Sequence, residues 1–338
     1  MVAQNVLKGD GQGRVNYEVV CEAIRCGYQV TLLSTNVAPD LQQSQQVQWV
    51  PLPVKGLPTQ LLKDLVFSLR SAAWLRQHFA EFEMIQVNGA NTSFPSHVNA
   101  VHFVHRVQLR SPSRIFGSRL RLRSLYHWFF TLLNSIWEKQ AFCKAEIIVA
   151  VSDQVAKELM EIGLPPESIR TIENGVDLQE FLPGTAERQR WNLPEEVTLA
   201  LFVGDIRTHR KNLDTVLHAL VLVSDLHLAV AGATEGSPYL KLAAELGIAA
   251  RVHFLGLCSD VPDLMKCTDF LVFPSRYEPF GLVVLEAMAS GLPVITASTT
   301  GAAKLVSPDA GIVLPNPTHI LRLREAMLVM SGDRQLRQ

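Results

Sequence analysis

The chain has 338 residues, 48% of them hydrophobic, and a formal net charge of −1. That length allows two domains of roughly 150 residues each, and the apolar content supplies their cores and excludes bulk disorder. Five scattered cysteines without a CxxC pair argue for a reducing compartment and against a disulfide or metal framework.

No secretory leader is visible and no apolar run approaches the ~18 residues of a spanning helix, so the expected location is cytoplasmic, at most peripheral on a membrane. Residues 1–170 hold 17 Lys and Arg against 13 Asp and Glu, and the remainder 14 against 19. The basic half points to an acidic ligand or an anionic membrane surface.

In chain order, Val2 to Leu7 is a first strand interrupted by Gln4 and Asn5, which predicts a weakened edge of the core or a true start upstream. Gly9, Gly11 and Gly13 bracket a turn into a helix from about Arg14 to Arg25, an arrangement that suits an anion at the helix N-terminus. Tyr28 to Leu33 reads as the next strand. Residues 36 to 60, with four prolines, read as loop around a short strand near Val47 to Val50. Residues 60–80 carry apolar side chains at helical spacing.

Met84 to Val87 is a short strand. Asn99 to His105 is a strand ending in two histidines, and alternation puts His102 and His105 on opposite faces. No Asp or Glu occurs from Met84 to Trp137, while Arg106, Arg110, Arg114, Arg119, Arg121 and Arg123 fall in that window, followed by Tyr126, His127, Trp128, Phe129 and Phe130. Three readings apply to 106–130: a basic loop before a core-packed helix, an interfacial patch on an anionic membrane, or a pocket for a phosphorylated acceptor. Nothing in it matches a nucleic-acid-binding motif.

Glu146 to Val151 is a buried strand, and Ser152 and Asp153 cap a helix. Ile169 to Ile172 runs into the turn-forming Glu173 to Asp177. Pro183 to Pro194 is polar and linker-like. Thr198 to Val203 opens a second sheet. After it come Gly204, Arg207 and Lys211 before a helix, a phosphate-facing arrangement. His227 to Ala231 and Arg251 to Leu255 are further strands. Thr300 to Ala303 and Gly311 to Leu314 continue the alternation, and helix 318–330 follows.

The organising stretch is Asp269 to Ala297. Phe270 to Phe273 is an unbroken apolar run, the mark of a strand buried on both faces. A loop from Ser275 to Phe280 follows. Gly281 opens a helix that Gly291 and Pro293 stop, and Val294 to Ala297 is a second buried strand. Amides of Gly281, Leu282 and Val283 at that helix start are a ready phosphate site. Glu286, inside the helix, is placed to accept hydrogen bonds from sugar hydroxyls of a nucleotide, and Glu278 stands in the loop before it.

Glu278, Pro279, Phe280, Gly281, Glu286, Ala287, Gly291, Pro293 and Val294 together resemble the donor-site signature of the retaining glycosyltransferases of family 4. The resemblance implies two Rossmann-like α/β domains with parallel sheets facing a central cleft (the GT-B fold), with an acceptor-side domain at 1–177, a linker at 178–197 and a nucleotide-sugar domain at 198–338. It implies a shortened or missing final return helix. The first half is where the family binds its acceptor.

The resemblance further implies that Glu278 faces the donor sugar and that the amides of Gly281, Leu282 and Val283 hold the diphosphate. Glu286 then binds the ribose. Arg207 and Lys211 neutralise the leaving group, with Asp205 standing where the family has its usual Arg. Gly11 and Gly13 lie in the loop opposite the diphosphate. Phe254 and Leu255 lie by the base, and His102 or His105 reaches the donor sugar.

The expected reaction is transfer of a sugar from a nucleotide-sugar, UDP- or GDP-linked, to a glycan, lipid or small-molecule acceptor. It proceeds with retention and without a metal or other cofactor. A phosphorylase or sugar-nucleotide epimerase on the same fold, or a truncated non-catalytic sugar-nucleotide-binding protein, are the alternatives.

Overall fold

The computed structural model describes residues 1–9, 11–106 and 121–332, the side chains of 121–128 excepted. The chain divides into two compact units, Met1–Glu173 and Asn174–Gln338. Each is an α/β layer structure whose paired strands all run parallel.

The first unit holds β1 (Asn5–Val6), β2 (Val30–Ser34), β3 (Asn36–Val37), β4 (Val47–Pro51), β5 (Gln86–Asn88), β6 (Ser96–Val101), β7 (Ala145–Ala150) and β8 (Ile169–Thr171). β5 to β8 pair in order, and β2 pairs with β4. Val2 joins these two groups, bridging Leu33 on one side and Val87 on the other. Its amide donates to Gln86 O at 2.8 Å, and its carbonyl accepts from Asn88 N at 3.1 Å.

The expected weak edge is therefore corrected. The opening residues lie in the middle of the sheet, with Val2 and Ala3 each 1% exposed. Their side chains alternate between two cores: Val2 packs with Leu33, Phe67 and Val87, and Ala3 with Tyr17, Val20 and Leu32. Being flanked on both sides satisfies the backbone that Gln4 and Asn5 made look marginal.

Other boundaries also move. The first helix spans Gly11–Arg25, so Gly11 and Gly13 belong to its first turn. The region expected as loop after residue 36 holds β3 and a short helix, Pro39–Gln43, begun by Pro39 at its first position. The long helix of the acid-free region is Arg121–Phe142. Arg110, Arg114 and Arg119 lie outside the described residues, as do the side chains of Arg121, Arg123, Tyr126, His127 and Trp128.

The second unit holds β9 (Thr198–Val203), β10 (Leu226–Ala231), β11 (Val252–Gly256), β12 (Phe270–Phe273), β13 (Val294–Ala297) and β14 (Gly311–Leu314). They form one six-stranded sheet in the order β11-β10-β9-β12-β13-β14. Counted within the unit this is 3-2-1-4-5-6, the Rossmann order. All four residues of β12 are buried, as are all four of β13, because helices cover both faces of a parallel sheet. Phe202, Leu228, Phe270, Val272 and Ile295 form the centre of one core, closed by the helices Leu213–Val221 and Ile320–Gly332.

Residues 178–197, expected as a linker, pack on this unit. Arg188 donates to Cys267 O and pairs with Asp269 at 2.9 Å, and Trp191 Nε1 donates to Asp263. Thr300 to Ala303 is not a strand; Gly301–Leu305 winds into a 3-10 turn. No described helix is long and apolar enough to cross a membrane.

Candidate functional site

In an open parallel sheet, ligands bind outside the carboxyl ends of the strands, where the strand order reverses. In the second unit that point lies between β9 and β12, paired at Phe270 with Ala200 and Leu271 with Leu201. The two loops leaving there are Gly204–Asn212 and Pro274–Gly281.

These loops bring Lys211 and Glu278 together. Lys211 Nζ donates to Glu278 Oε2, and both side chains are only 13% exposed. The Lys211 stem lies 3.4–3.6 Å from where a Cβ on Gly204 would stand, so that glycine leaves the stem its room. The ammonium sits 4.9 Å above the centre of the Phe273 ring, a cation–π contact. Burial pushes the Lys211 ammonium below the usual lysine range, with Glu278 opposing part of that shift. Arg210 approaches Glu278 Oε2 at 3.7 Å.

Arg207, the expected diphosphate partner, is engaged elsewhere. Its Nε donates to Asp205 Oδ1 at 2.8 Å and its Nη2 to Asp205 Oδ2 at 3.2 Å, and its side chain is 56% exposed. The Asp205 carboxyl is held below its ordinary range by that hydrogen bond. The cation that accompanies Lys211 at Glu278 is thus Arg210. The sequence shows Arg207, Arg210 and Lys211 ahead of the helix but not which arginine stands beside Lys211 at Glu278.

The loops are laced to each other. Asn212, fully buried in the left-handed region at φ +67°, donates from Nδ2 to Pro274 O at 2.7 Å and Pro317 O at 2.6 Å. Asn tolerates this backbone better than most residues. Arg276 makes a bidentate pair with Asp214 (2.8 and 2.7 Å) and donates to His209 O at 2.6 Å. Its own amide and the Ser275 hydroxyl both donate to Arg210 O.

Arg276→Met is expected to lower stability by about 1–3 kcal/mol, because it removes charge-assisted bonds from a partly buried carboxylate. The shift of the urea midpoint measures this.

A third segment supports the Glu278 loop. Glu278 N donates to Thr299 O, Gly301 N to Glu278 O, and Ala302 N to Phe280 O. Gly281 then caps the helix Leu282–Ala289 at φ +93°. A Cβ there would stand 2.7 Å from Thr300 Cγ2 and 3.2 Å from Glu278 Cγ, so the position demands glycine on both counts. The amides of Leu282 and Val283 fall in the first helical turn, whose donors lack intrahelical acceptors.

Glu286 is half-buried one turn further on. Phe254 and Leu255 lie on β11, the outer strand, two strands from β9, and the Phe254 side chain packs against the core. The structure does not bring that side chain to the Lys211–Glu278 group.

In the first unit, β6 ends at Val101, so His102 leaves the strand and His105 opens a helical turn. The expected opposition of the two histidines fails for that reason: alternation does not extend past Val101. Both line a single cavity of about 240 Å³. His105 Nδ1 lies 2.5 Å from Glu138 Oε1, and its amide donates to Glu138 Oε2 at 2.9 Å. A carboxylate only accepts, so Nδ1 carries the proton. His102 Nε2 lies 3.4 Å from Asn88 Nδ2. Glu138, 5% exposed, went unremarked in the sequence; its signal was being the first acid after Glu83. Gly13, buried in the first turn of its helix, accepts from Leu7 N, and Gly11 is exposed. Among the described residues no group of three or more His, Cys, Asp or Glu could hold a metal ion.

Two family models match the chain. Glycosyltransferase Family 4 matches residues 9–180, half of the chain, and Glycosyl transferases group 1 matches residues 184–338. Curated D-inositol 3-phosphate glycosyltransferases of Mycobacterium bovis and Mycobacterium tuberculosis are 36% identical over 180 residues. That match spans 50% of this chain and only 37% of their length.

Among solved structures, WaaG, a glycosyltransferase involved in lipopolysaccharide biosynthesis, aligns at a TM-score of 0.76 and 23% identity, over 99% of this chain and 91% of its own. Sucrose-phosphate synthase from Thermosynechococcus elongatus aligns at 0.81 and 21%, over 99% and 87%. Anabaena HepE in complex with UDP-glucose aligns at 0.68 and 18%, over 99% and 90%. At these identities the structural likeness speaks for the fold. With one family model covering half of the chain and the other continuing to its end, the chain belongs to glycosyltransferase family 4.

Proposed function

We propose that the protein transfers a hexosyl group from a nucleotide-sugar to an acceptor hydroxyl, with retention of configuration. The observation that supports this most is the meeting of a half-buried Lys211 with Glu278 at the strand-order reversal, beside the first turn of the helix Leu282–Ala289. A departing diphosphate needs preorganised positive charge and donors. Lys211, Arg210 and the first-turn amides supply them, and Glu286 takes the ribose hydroxyls. Glu278 positions the donor sugar and is released from Lys211 as phosphate oxygens take over the ammonium.

In the transfer step the bond from the anomeric carbon to phosphate breaks and the bond to the acceptor oxygen forms on the same face. The acceptor proton passes to the departing phosphate oxygen. Uridine is the first base to test, since a neighbour of the same fold is complexed with UDP-glucose.

A thermal-shift panel of UDP-, GDP- and ADP-sugars tests the reading. A donor at 100 times its dissociation constant stabilises by about 2.7 kcal/mol. Stabilisation by one nucleotide class is expected; a folded protein that responds to none contradicts the proposal.

The affinity carries a pH signature. The phosphate site needs the Lys211 ammonium, whose pKa in the free protein is pushed by burial below the ordinary lysine value of 10.5. Affinity is therefore expected to fall as pH rises through that lowered pKa, and binding there takes up a proton. The same depression makes the unfolded chain the better proton binder in that window, so this group's contribution to stability rises with pH.

A further inference from the structure

Lys211 stands near the end of a loop whose backbone is tied at four carbonyls by residues from other segments. Ser237 Oγ donates to Ile206 O at 2.7 Å, and the Tyr239 hydroxyl to Thr208 O at 3.3 Å. Arg276 Nη1 donates to His209 O at 2.6 Å. The Arg276 amide and the Ser275 hydroxyl donate to Arg210 O at 2.9 and 3.0 Å. Shifting the loop would break these bonds and strand their partners, which is costly in a partly buried place. The Lys211 side chain is the part left to answer a ligand.

The next residue closes the loop. Asn212 is 0% exposed, and both hydrogens of its amide and the oxygen are engaged. The hydrogens go to Pro274 O, at the foot of the Glu278 loop, and to Pro317 O, ahead of the helix Ile320–Gly332. Oδ1 accepts from the Thr215 hydroxyl at 2.6 Å. Neighbouring side chains therefore hold one loop at two points: Lys211 at Glu278 and Asn212 at Pro274. The first tie is the one that a diphosphate displaces. The second is uncharged and fully buried, so an anion has nothing to exchange with it.

We propose that Asn212 is a positioning residue: it fixes the base from which Lys211 reaches the diphosphate once Glu278 has let go. The role rests on the proposed donor site. In the free protein the ion pair itself aims the ammonium. In the donor complex that tie is gone, and the backbone at 211–212 sets the aim. A misplacement of about 1 Å is enough to cost on the order of 100-fold in rate.

Asn212→Gly removes the side-chain bonds and keeps the backbone, because glycine takes φ +67° without strain. Calorimetric titration with UDP, GDP and ADP compares the wild type, Asn212→Gly, Lys211→Met and the double variant. Asn212→Gly is expected to weaken the nucleotide that the wild type binds by about 3–10-fold, and by less than about 2-fold once Lys211 is methionine. A merely structural asparagine would lower the urea midpoint and leave the affinity alone, or weaken it equally in both backgrounds. Thr215→Val, which takes away only the hydroxyl held by Asn212 Oδ1, is the milder variant if glycine at 212 prevents folding. It is expected to weaken binding by about 2–5-fold, again only while Lys211 is present.

Unchanged affinity in whichever variant folds, or an equal loss with and without Lys211, overturns the positioning role and leaves the donor site standing. A folded wild type that binds none of the three nucleotides overturns the donor reading, and the role of Asn212 with it.

Discussion

Lys211→Met is expected to lower the turnover of hexosyl transfer by about 10²–10³-fold, the effect of removing one preorganised donor from a developing oxyanion. Methionine keeps the length of the stem beside Gly204 and Phe273, so the loss is of charge more than of packing. The same substitution destabilises the free protein. Glu278 is 13% exposed, and removing its charge-assisted partner from this partly buried site costs about 1–3 kcal/mol.

Arg210, 3.7 Å from the same oxygen, offsets part of that loss. The two effects separate in the double variant Lys211→Met with Glu278→Gln. Neutralising both partners is expected to recover much of the urea midpoint while turnover stays low. Recovery of turnover together with stability would mean that Lys211 is structural, and a thermodynamic cycle on the four proteins reads this directly.

Gly301→Ala is expected to lower stability by about 3 kcal/mol or more. A Cβ there would stand 2.1 Å from Pro279 O and 2.9 Å from Phe280 Cα, and both are backbone atoms that no rotamer change can move. Overpacking typically costs about 1–3 kcal/mol when side chains can yield; here the segment carrying Glu278 must shift instead.

Gly301 N also donates to Glu278 O, so the displaced segment is the one that holds the carboxylate proposed to position the donor sugar. Donor affinity should therefore fall along with the denaturation midpoint. Gly175→Ala is the control: nothing lies within 4 Å of its Cβ position and its φ is not in the left-handed region, so no comparable change is expected.

The sequence carried most of the second unit because its strands are buried on both faces and its glycines do specific work. Phe270–Phe273 and Val294–Ala297 stand as the apolar runs indicate, and Gly281 caps the helix at a φ that a side chain would resist. Lys211 and Glu278 were each marked by position after a strand, although 67 residues separate them. What brings them together is the pairing of β9 with β12, a long-range choice that local pattern does not contain.

Where the structure departs from the local pattern, long-range contacts decided some features and a neighbouring side chain or a strand end decided others. Thr300 to Ala303 was expected to continue the alternation but is spent on holding the loop that carries Glu278. Val2 has a poor strand around it yet is central, because neighbours on both sides satisfy it. Asp205 captures Arg207, leaving Arg210 to turn toward Glu278. His102 and His105 were read by strand alternation, which stops at Val101. Asn88 carried no local signal of a cavity, and Glu138 only its place as the first acid after Glu83; both line it because the helix Arg121–Phe142 brings Glu138 to His105.

The claim at the centre of this account is that Lys211 holds the donor diphosphate. Calorimetric titration of UDP into the wild-type protein, Lys211→Met and the exposed control Lys241→Met measures it most directly. Lys241 is 83% exposed and paired only with Glu245, one turn along its own helix. The expected result is binding by the wild type and the control with the same dissociation constant, and binding about 10–100-fold weaker by Lys211→Met, the worth of one hydrogen bond to a charged group. A folded Lys211→Met protein that binds UDP as tightly as the wild type would contradict the account.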